Sequence, residues 1–355
     1  MAEKMRAAII GCGRQGEGRT GSGMAHLHAT GYTRRKDTQI AALCDIKREN
    51  AEAFAEQHAP GAAVYTDYKT MLRVEKLDFV SVCLWPHLHA EMIIACAKAG
   101  VRAVHSEKPM APTWGEALKI AAAVKKSGTQ LTFNHQRRFL PAFQTARRLA
   151  DEGKIGTLTR IEGACHDMID WGTHWLDMMF FFNHETPALW VLGQVDAREW
   201  HEVFGLPFEH QAICQLKFAN GVRGVLFTGE DSDIGCQMRL IGTEGVIELR
   251  EGEHPVWLRA AGSCKWQRPK IAGGLHAGEA VADAIGDMID SLKTGREPLL
   301  SVNNAMRATE VIFATYESSR RRGRVDLPLK PKTGGFQALV ESGELKPGKR
   351  KAGKY

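Results

Sequence analysis

Two patterns of apolar and polar positions divide the chain. Arg6 to Ile10 is a short apolar run, and Gln39 to Cys44 is a second that ends at Asp45, an opening with the form of a βαβ unit. Asp78 to Leu84 is almost continuously apolar, the pattern of a strand buried on both faces of a parallel sheet. His87 to Ala99 then reads as a helix stopped by Gly100, and Val101 to His105 as the next strand. Thr113 and Glu116 predict a capping box for a helix running to Lys126 with Gly128 as its stop, and Thr129 to Phe133 closes the half. Strands alternating with helices imply α/β architecture with a doubly wound parallel sheet over residues 1–133.

Beyond Asn134 the order changes. Gly156 to Ala164 is a strand pattern and Trp171 to Phe182 a helix. Leu189 to Arg198, Gln211 to Phe218, Val222 to Thr228, Cys236 to Ile241 and Val246 to Arg250 follow as strands. Strands in series predict a mostly antiparallel sheet. Gly278 to Thr294 and Val302 to Arg321 add two helices, completing an α+β lobe over residues 134–330.

A chain of 355 residues with 44% hydrophobic content is longer than one ordinary domain, which agrees with two. No apolar run is long enough to cross a bilayer, and Met1 to Ala8 leads into a strand without a signal-peptide core, so a soluble, cytoplasmic protein without a membrane partner is expected. The eight cysteines include no CxxC pair; they read as reduced, buried thiols, and no metal site is expected. A net charge of +6 suits an anionic polymer, but Lys346, Lys349, Arg350, Lys351 and Lys354 supply five of those charges in a stretch without acids. The rest is close to neutral. A flexible basic tail over residues 331–355 is expected, and no nucleic-acid partner.

Gly11, Gly13 and Gly16 have GxGxxG spacing directly after a strand, with Arg14 and Gln15 inside the turn. Such a turn lets backbone amides and a helix N-terminus meet a pyrophosphate. By itself it is equally an ordinary glycine-rich turn. Asp45, ending the second strand, is the residue type that bonds a ribose 2′-hydroxyl and repels a 2′-phosphate, which favours NAD over NADP; Lys47 and Arg48 soften that preference, and a turn or capping aspartate is the plainer alternative. Asp45 lies farther from the glycines than the usual spacing of about twenty residues, the extra length being Glu17 to Met24.

Glu107-Lys108-Pro109 follows the strand ending at His105, at the sheet edge where open α/β folds bind ligands. A lysine there can stabilise an alcohol oxygen as its charge changes, although the tripeptide alone reads more readily as a surface salt-bridging lysine. Asp170, His174 and Asp177 stand at i, i+4 and i+7, a carboxylate, imidazole, carboxylate stripe. The imidazole can take a hydroxyl proton while a carboxylate holds its tautomer. A helix start with capping acids and a satisfied histidine is the equal alternative.

Taken in order, Gly11 to Gly16, Asp45, Trp85-Pro86-His87-Leu88-His89, Glu107-Lys108-Pro109, Arg137-Arg138-Phe139-Leu140-Pro141 and Asp170xxxHis174xxAsp177 resemble the Gfo/Idh/MocA family of sugar and inositol dehydrogenases, from Met5 to Leu327. The resemblance implies an N-terminal Rossmann domain, a C-terminal lobe on a large open sheet, and a homodimer or homotetramer. It implies a bound NAD, with Pro86, His89 and Glu107 as its neighbours. Lys108 would contact the reacting hydroxyl and nicotinamide, His174 would be the acid/base, and Asp170 would orient it or the substrate. Asp177, Arg138 and His166 would meet substrate hydroxyls, and Trp171 would stack on a sugar face or serve as core. The expected reaction is reversible oxidation of a CHOH group in a sugar, sugar derivative or cyclitol. Two alternatives use the same residues differently: an NAD-dependent glycoside hydrolase or lyase working by transient oxidation, and a nucleotide-binding sensor without chemistry.

Overall fold

The computed structural model of the chain describes residues 3–13, 23–230, 232–276, 278–330 and 335–348. Arg14, Gln15, Gly16 and most of the Glu17 to Met24 stretch lie outside the described residues. Strands β1 (Met5–Ile10), β2 (Thr38–Cys44), β3 (Ala63–Tyr65), β4 (Phe79–Val82), β5 (Ala103–Ser106) and β6 (Gln130–Phe133) form one sheet in the order β3-β2-β1-β4-β5-β6. Every pair in it is parallel. Strands β4 and β5 are buried at every position, as their apolar runs require. The order reverses between β1 and β4, and a ligand crevice forms outside the carboxyl ends of strands at such a reversal.

The helix Pro86–Lys98 carries its proline in the first turn, where the missing N–H costs nothing. In the helix Trp114–Ser127, Thr113 Oγ1 accepts from the Glu116 amide at 3.1 Å. Glu116 Oε2 is buried without a partner among the described residues.

The second sheet contains β7 (Leu158–Cys165), β8 (Ala188–Asp196), β11 (Gln211–Phe218), β12 (Arg223–Gly229), β13 (Met238–Gly242), β14 (Val246–Leu249), β15 (Val256–Arg259) and β16 (Val325–Asp326). Its order is β15-β14-β13-β7-β12-β11-β8-β16. A hairpin of β9 (His201–Val203) and β10 (Leu206–Phe208) stands apart from it. All ladders in the large sheet are antiparallel except β7 with β12. That parallel pair arises because β7 takes the middle of the sheet before the helix Gly172–Phe182 carries the chain across it.

Every residue of Gly172–Phe182 is buried, which its all-round apolar character predicts. It packs against β7, β12 and the helix Val302–Arg321. A Cβ at Gly163 in β7 would stand 2.6 Å from the Trp175 ring, so glycine there admits the tryptophan. The opposite face of the sheet leaves Leu192 and Ile213 43% and 42% exposed.

Two features of the structure bear on the linear division. The helix Glu279–Thr294 packs on the first sheet, where Ile285, Met288 and Ile289 meet Ala7, Tyr32, Phe79 and Ala103. A cut after residue 133 therefore separates the sheets but not their covering helices. Residues 335–348 are folded rather than a flexible tail: the helix Gly335–Glu341 and the turn after it bury Phe336, Leu339 and Leu345. Those three apolar side chains give the segment a face to bury, which the lysine-rich end beyond them obscures.

Candidate active site

The carboxyl ends of the first sheet's strands open into a cleft of about 1350 Å³ that runs from the Gly11 turn to the second lobe. Gly11 has φ +89°, and a Cβ there would fall 2.5 Å from the Cys83 carbonyl oxygen, so only glycine lets the turn after β1 close on the end of β4. Gly13, at φ +70°, has open space where its Cβ would be. Asp45 lines the same end of the cleft. Its Oδ2 accepts from the Cys12 amide at 2.9 Å and its Oδ1 from the Lys47 amide at 2.9 Å. The acid that ends β2 is thereby fixed against the glycine turn.

Lys108 enters from the turn after β5. Its Nζ donates to Asp170 Oδ1 at 2.5 Å and to the Asp170 carbonyl at 3.3 Å, both side chains keeping an edge open to the cleft. Beneath it, Glu107 Oε1 bonds His28 Nε2 and Asn134 Nδ2, each at 2.8 Å. Burial pushes the Glu107 carboxyl up, but His28, Lys108 and Asn134 outweigh it and hold the group down at about 2. An ionised Glu107 thus anchors the turn that presents Lys108.

The second lobe delivers His174 on the helix Gly172–Phe182. That helix starts tightly because Asp167 Oδ1 accepts from the Asp170 amide at 2.5 Å and the Asp167 carbonyl from the Gly172 amide at 2.8 Å. A Cβ at residue 172 would stand 2.9 Å from the same carbonyl. His174 lines the cleft, and its Nδ1 is buried with no hydrogen-bond partner among the described residues. Burial, then the charges of Lys108 and Arg137 and the neighbouring His135 and His276, hold its imidazole well below 6.5. His174 is therefore neutral at pH 7.

Lys108, Asp170, His174, Trp171, Pro86, Glu107, Gly11, Gly13 and Asp45 all line this one cleft. Others do not. Asp177 and Arg138 are 0% exposed and bond each other through two contacts of 2.8 Å, while Arg138 Nη1 reaches Glu185 at 2.5 Å. Expected at substrate hydroxyls, the pair instead bonds inside the lobe and lies outside the lining of the cleft. Neither Asp170 nor Asp177 bonds His174, so the expected carboxylate clamp on the imidazole is absent among the described residues, each acid holding a cation instead. His89 is fully buried between the Pro109 and Leu84 carbonyls, each at 3.0 Å, and braces the two turns without lining the cleft. His166 is exposed, edge-on to Trp171 at 5.0 Å between centroids, and outside the lining.

The sequence reading missed Arg137, Phe204 and His276, which also line the cleft. Arg137 lies 4.2 Å over the Trp175 ring, donates to the Leu275 carbonyl at 2.9 Å, and is pushed down to about 10 by burial. The only available signal was its place beside Arg138.

Residues 5–135 match the family described as "Oxidoreductase family, NAD-binding Rossmann fold", and residues 163–327 match its C-terminal alpha/beta domain. D-apiose dehydrogenase of Paraburkholderia graminis is 26% identical over 92% of this chain and 90% of its own. The scyllo-inositol 2-dehydrogenase (NAD(+)) of Bacillus subtilis is 25% identical over 93% of this chain and 98% of its own. Among solved structures, levoglucosan dehydrogenase in complex with NADH and levoglucosan has a TM-score of 0.77 at 20% identity, over 92% of this chain and 100% of its own, a likeness of fold.

Proposed function

Because the chain belongs to the Gfo/Idh/MocA family of NAD-binding oxidoreductases, we propose that it interconverts a secondary alcohol and a ketone on a sugar, sugar derivative or cyclitol, using NAD(H). The observation that carries this reading is the sharing of one cleft by the glycine turn, Asp45, Lys108 and His174. A bound nicotinamide dinucleotide would lie on Gly11, Gly13 and Asp45 and supply the hydride acceptor or donor. Asp45 favours NAD over NADP, since its carboxylate would face a 2′-phosphate with like charge.

The remaining chemistry belongs to the protein. Lys108 donates to the reacting oxygen and offsets the charge that grows there as the O–H bond breaks. Asp170 orients that ammonium through the 2.5 Å contact. His174 takes the hydroxyl proton, and we assign the transfer to Nε2 because Nδ1 is sealed within the protein. Trp85 and Trp171, both in the lining, offer aromatic faces to the C–H side of a ring.

Free thiols, most of them buried, suit a reducing compartment, and we place the protein in the cytoplasm. No described helix is long and apolar enough to cross a membrane. The open face of the large sheet, with Leu192 and Ile213 exposed, supports assembly as a homodimer or homotetramer.

Absorbance at the NADH band tests the reading, with NAD and then NADP supplied across sugars, sugar acids, glycosides and inositols. The expected result is oxidation of one substrate group with reduction of NAD to NADH, and a loss of about a hundredfold or more for Lys108→Ala. Equal rates for Lys108→Ala and the parent would sink it.

A further inference from the structure

Between Asp196 and Gln211, which pair across β8 and β11, residues 197–210 leave the large sheet. This is far longer than the two to five residues that usually join adjacent antiparallel strands. The excursion forms the β9–β10 hairpin, with Val203 opposite Leu206 and therefore Phe204-Gly205 as its two-residue turn. Both turn residues are left-handed, Phe204 at φ +48° and Gly205 at φ +75°. A turn of this kind selects Asn-Gly, because asparagine and glycine tolerate that region. A bulky aromatic there is a true outlier, and such outliers gather at ligand sites.

The turn reaches the other lobe. A Cβ at Gly205 would lie 3.6 Å from the Trp85 ring and 3.7 Å from His87, and Phe204 lines the cleft that holds Lys108, Asp170 and His174. The hairpin is braced at its base by His201, whose ring lies 4.2 Å from that of His210 and 5.4 Å from that of Phe208.

We propose that Phe204 is a specificity-determining residue: it packs its ring on the apolar C–H face of a cyclic sugar or cyclitol held at Lys108 and His174. The inference rests on the carbohydrate reading of the cleft. A phenyl ring has no polar group to bond a hydroxyl, so it rewards a ring face that presents C–H groups and gives nothing to an open-chain polyol that presents hydroxyls along its length. Carrying that ring at a position made for asparagine is a local cost that the turn alone does not explain.

Phe204→Asn separates the two roles, because asparagine suits the backbone and lacks the ring. The expected result is a KM for the cyclic substrate raised about tenfold with kcat little changed. NAD affinity should be unchanged, thermal stability equal or higher, and Phe204→Tyr should restore KM. Calorimetric titration of the same sugar into the NAD-loaded protein reads binding without turnover. Sugar binding that weakens in Phe204→Asn, with no NADH formed by the parent, would overturn the dehydrogenase reading and leave this inference standing. An unchanged KM and unchanged sugar affinity in Phe204→Asn would overturn the inference alone. A parent that binds no carbohydrate at all would overturn both.

Discussion

Arg137 and Arg138 are adjacent in sequence and opposite in role. They sit in the 3₁₀ turn Gln136–Phe139, where successive side chains diverge by about a third of a turn. One therefore reaches the cleft over Trp175, while the other enters the lobe and meets Asp177. Helical spacing showed that Asp170, His174 and Asp177 belong to one segment, yet it carried nothing about which cations arrive from elsewhere. Lys108 comes from the first lobe and Arg138 from the turn between lobes, and each takes one of the two acids. Asp177→Leu should leave Arg138 partly unpaired in the interior and cost about 3–5 kcal/mol of stability. Chemical denaturation would read that loss, and the surviving enzyme should keep its substrate KM; a KM that rises with stability intact would return Asp177 to the substrate site.

Alternation located most strands of both sheets to within two residues, and the helix Val302–Arg321 was read with its observed ends. The parallel pairing of β7 with β12 was not legible, because period two gives a strand its faces but not its neighbours. Nor was the return of Glu279–Thr294 to the first sheet, since an amphipathic helix fits any apolar surface of matching size. The hairpin that carries Phe204 depends on the same kind of distant support. Phe336 lies edge-on to Trp200 at 6.0 Å between centroids, the helix Gly335–Glu341 rests on β10, and the Gly348 amide donates to the Arg198 carbonyl at 3.0 Å. The segment read from sequence as a tail thus braces one wall of the cleft. Phe336→Ala should raise substrate KM by about twofold to fivefold through a looser hairpin, at a stability cost of about 3 kcal/mol, with NAD affinity unchanged. Steady-state kinetics beside a nucleotide titration check it; altered NAD affinity with normal KM would show that the segment acts elsewhere.

Across the whole molecule, residues from two lobes meet in one cleft. The first supplies the glycine turn, Asp45 and Lys108; the second supplies Asp170, His174 and Trp171. Burying so many imidazoles ties stability to pH. Burial drives His89, His105, His135 and His174 below 6.5, His105 to about 3. Each is protonated in the unfolded chain near pH 6.5 and resists protonation when folded, so the unfolded state binds more protons and stability falls as the pH drops from 7 to 5. Asp167 works the other way: burial, with Glu209 and Asp170 beside it, raises its carboxyl to about 7, so the folded chain holds a proton that the unfolded chain releases above 3.8. Burial also lowers His210 and raises Glu310, the latter siding with Asp167. With five imidazoles against two carboxyls, thermal melts should show a Tm several degrees lower at pH 5 than at pH 7.5. A Tm that rises on acidification would contradict the neutral burial of these histidines, His174 included.

Hydride transfer between a carbinol carbon and a nicotinamide, with net change in both, is the chemistry proposed for this cleft. A substrate deuterated at the reacting carbinol carbon, incubated with NAD and followed by mass spectrometry, tests it most directly. Deuterium in accumulated NADH, a ketone product in equal amount, and loss of both in His174→Gln are expected. Deuterium retained in a cleaved or eliminated product, with no NADH accumulating, would contradict it.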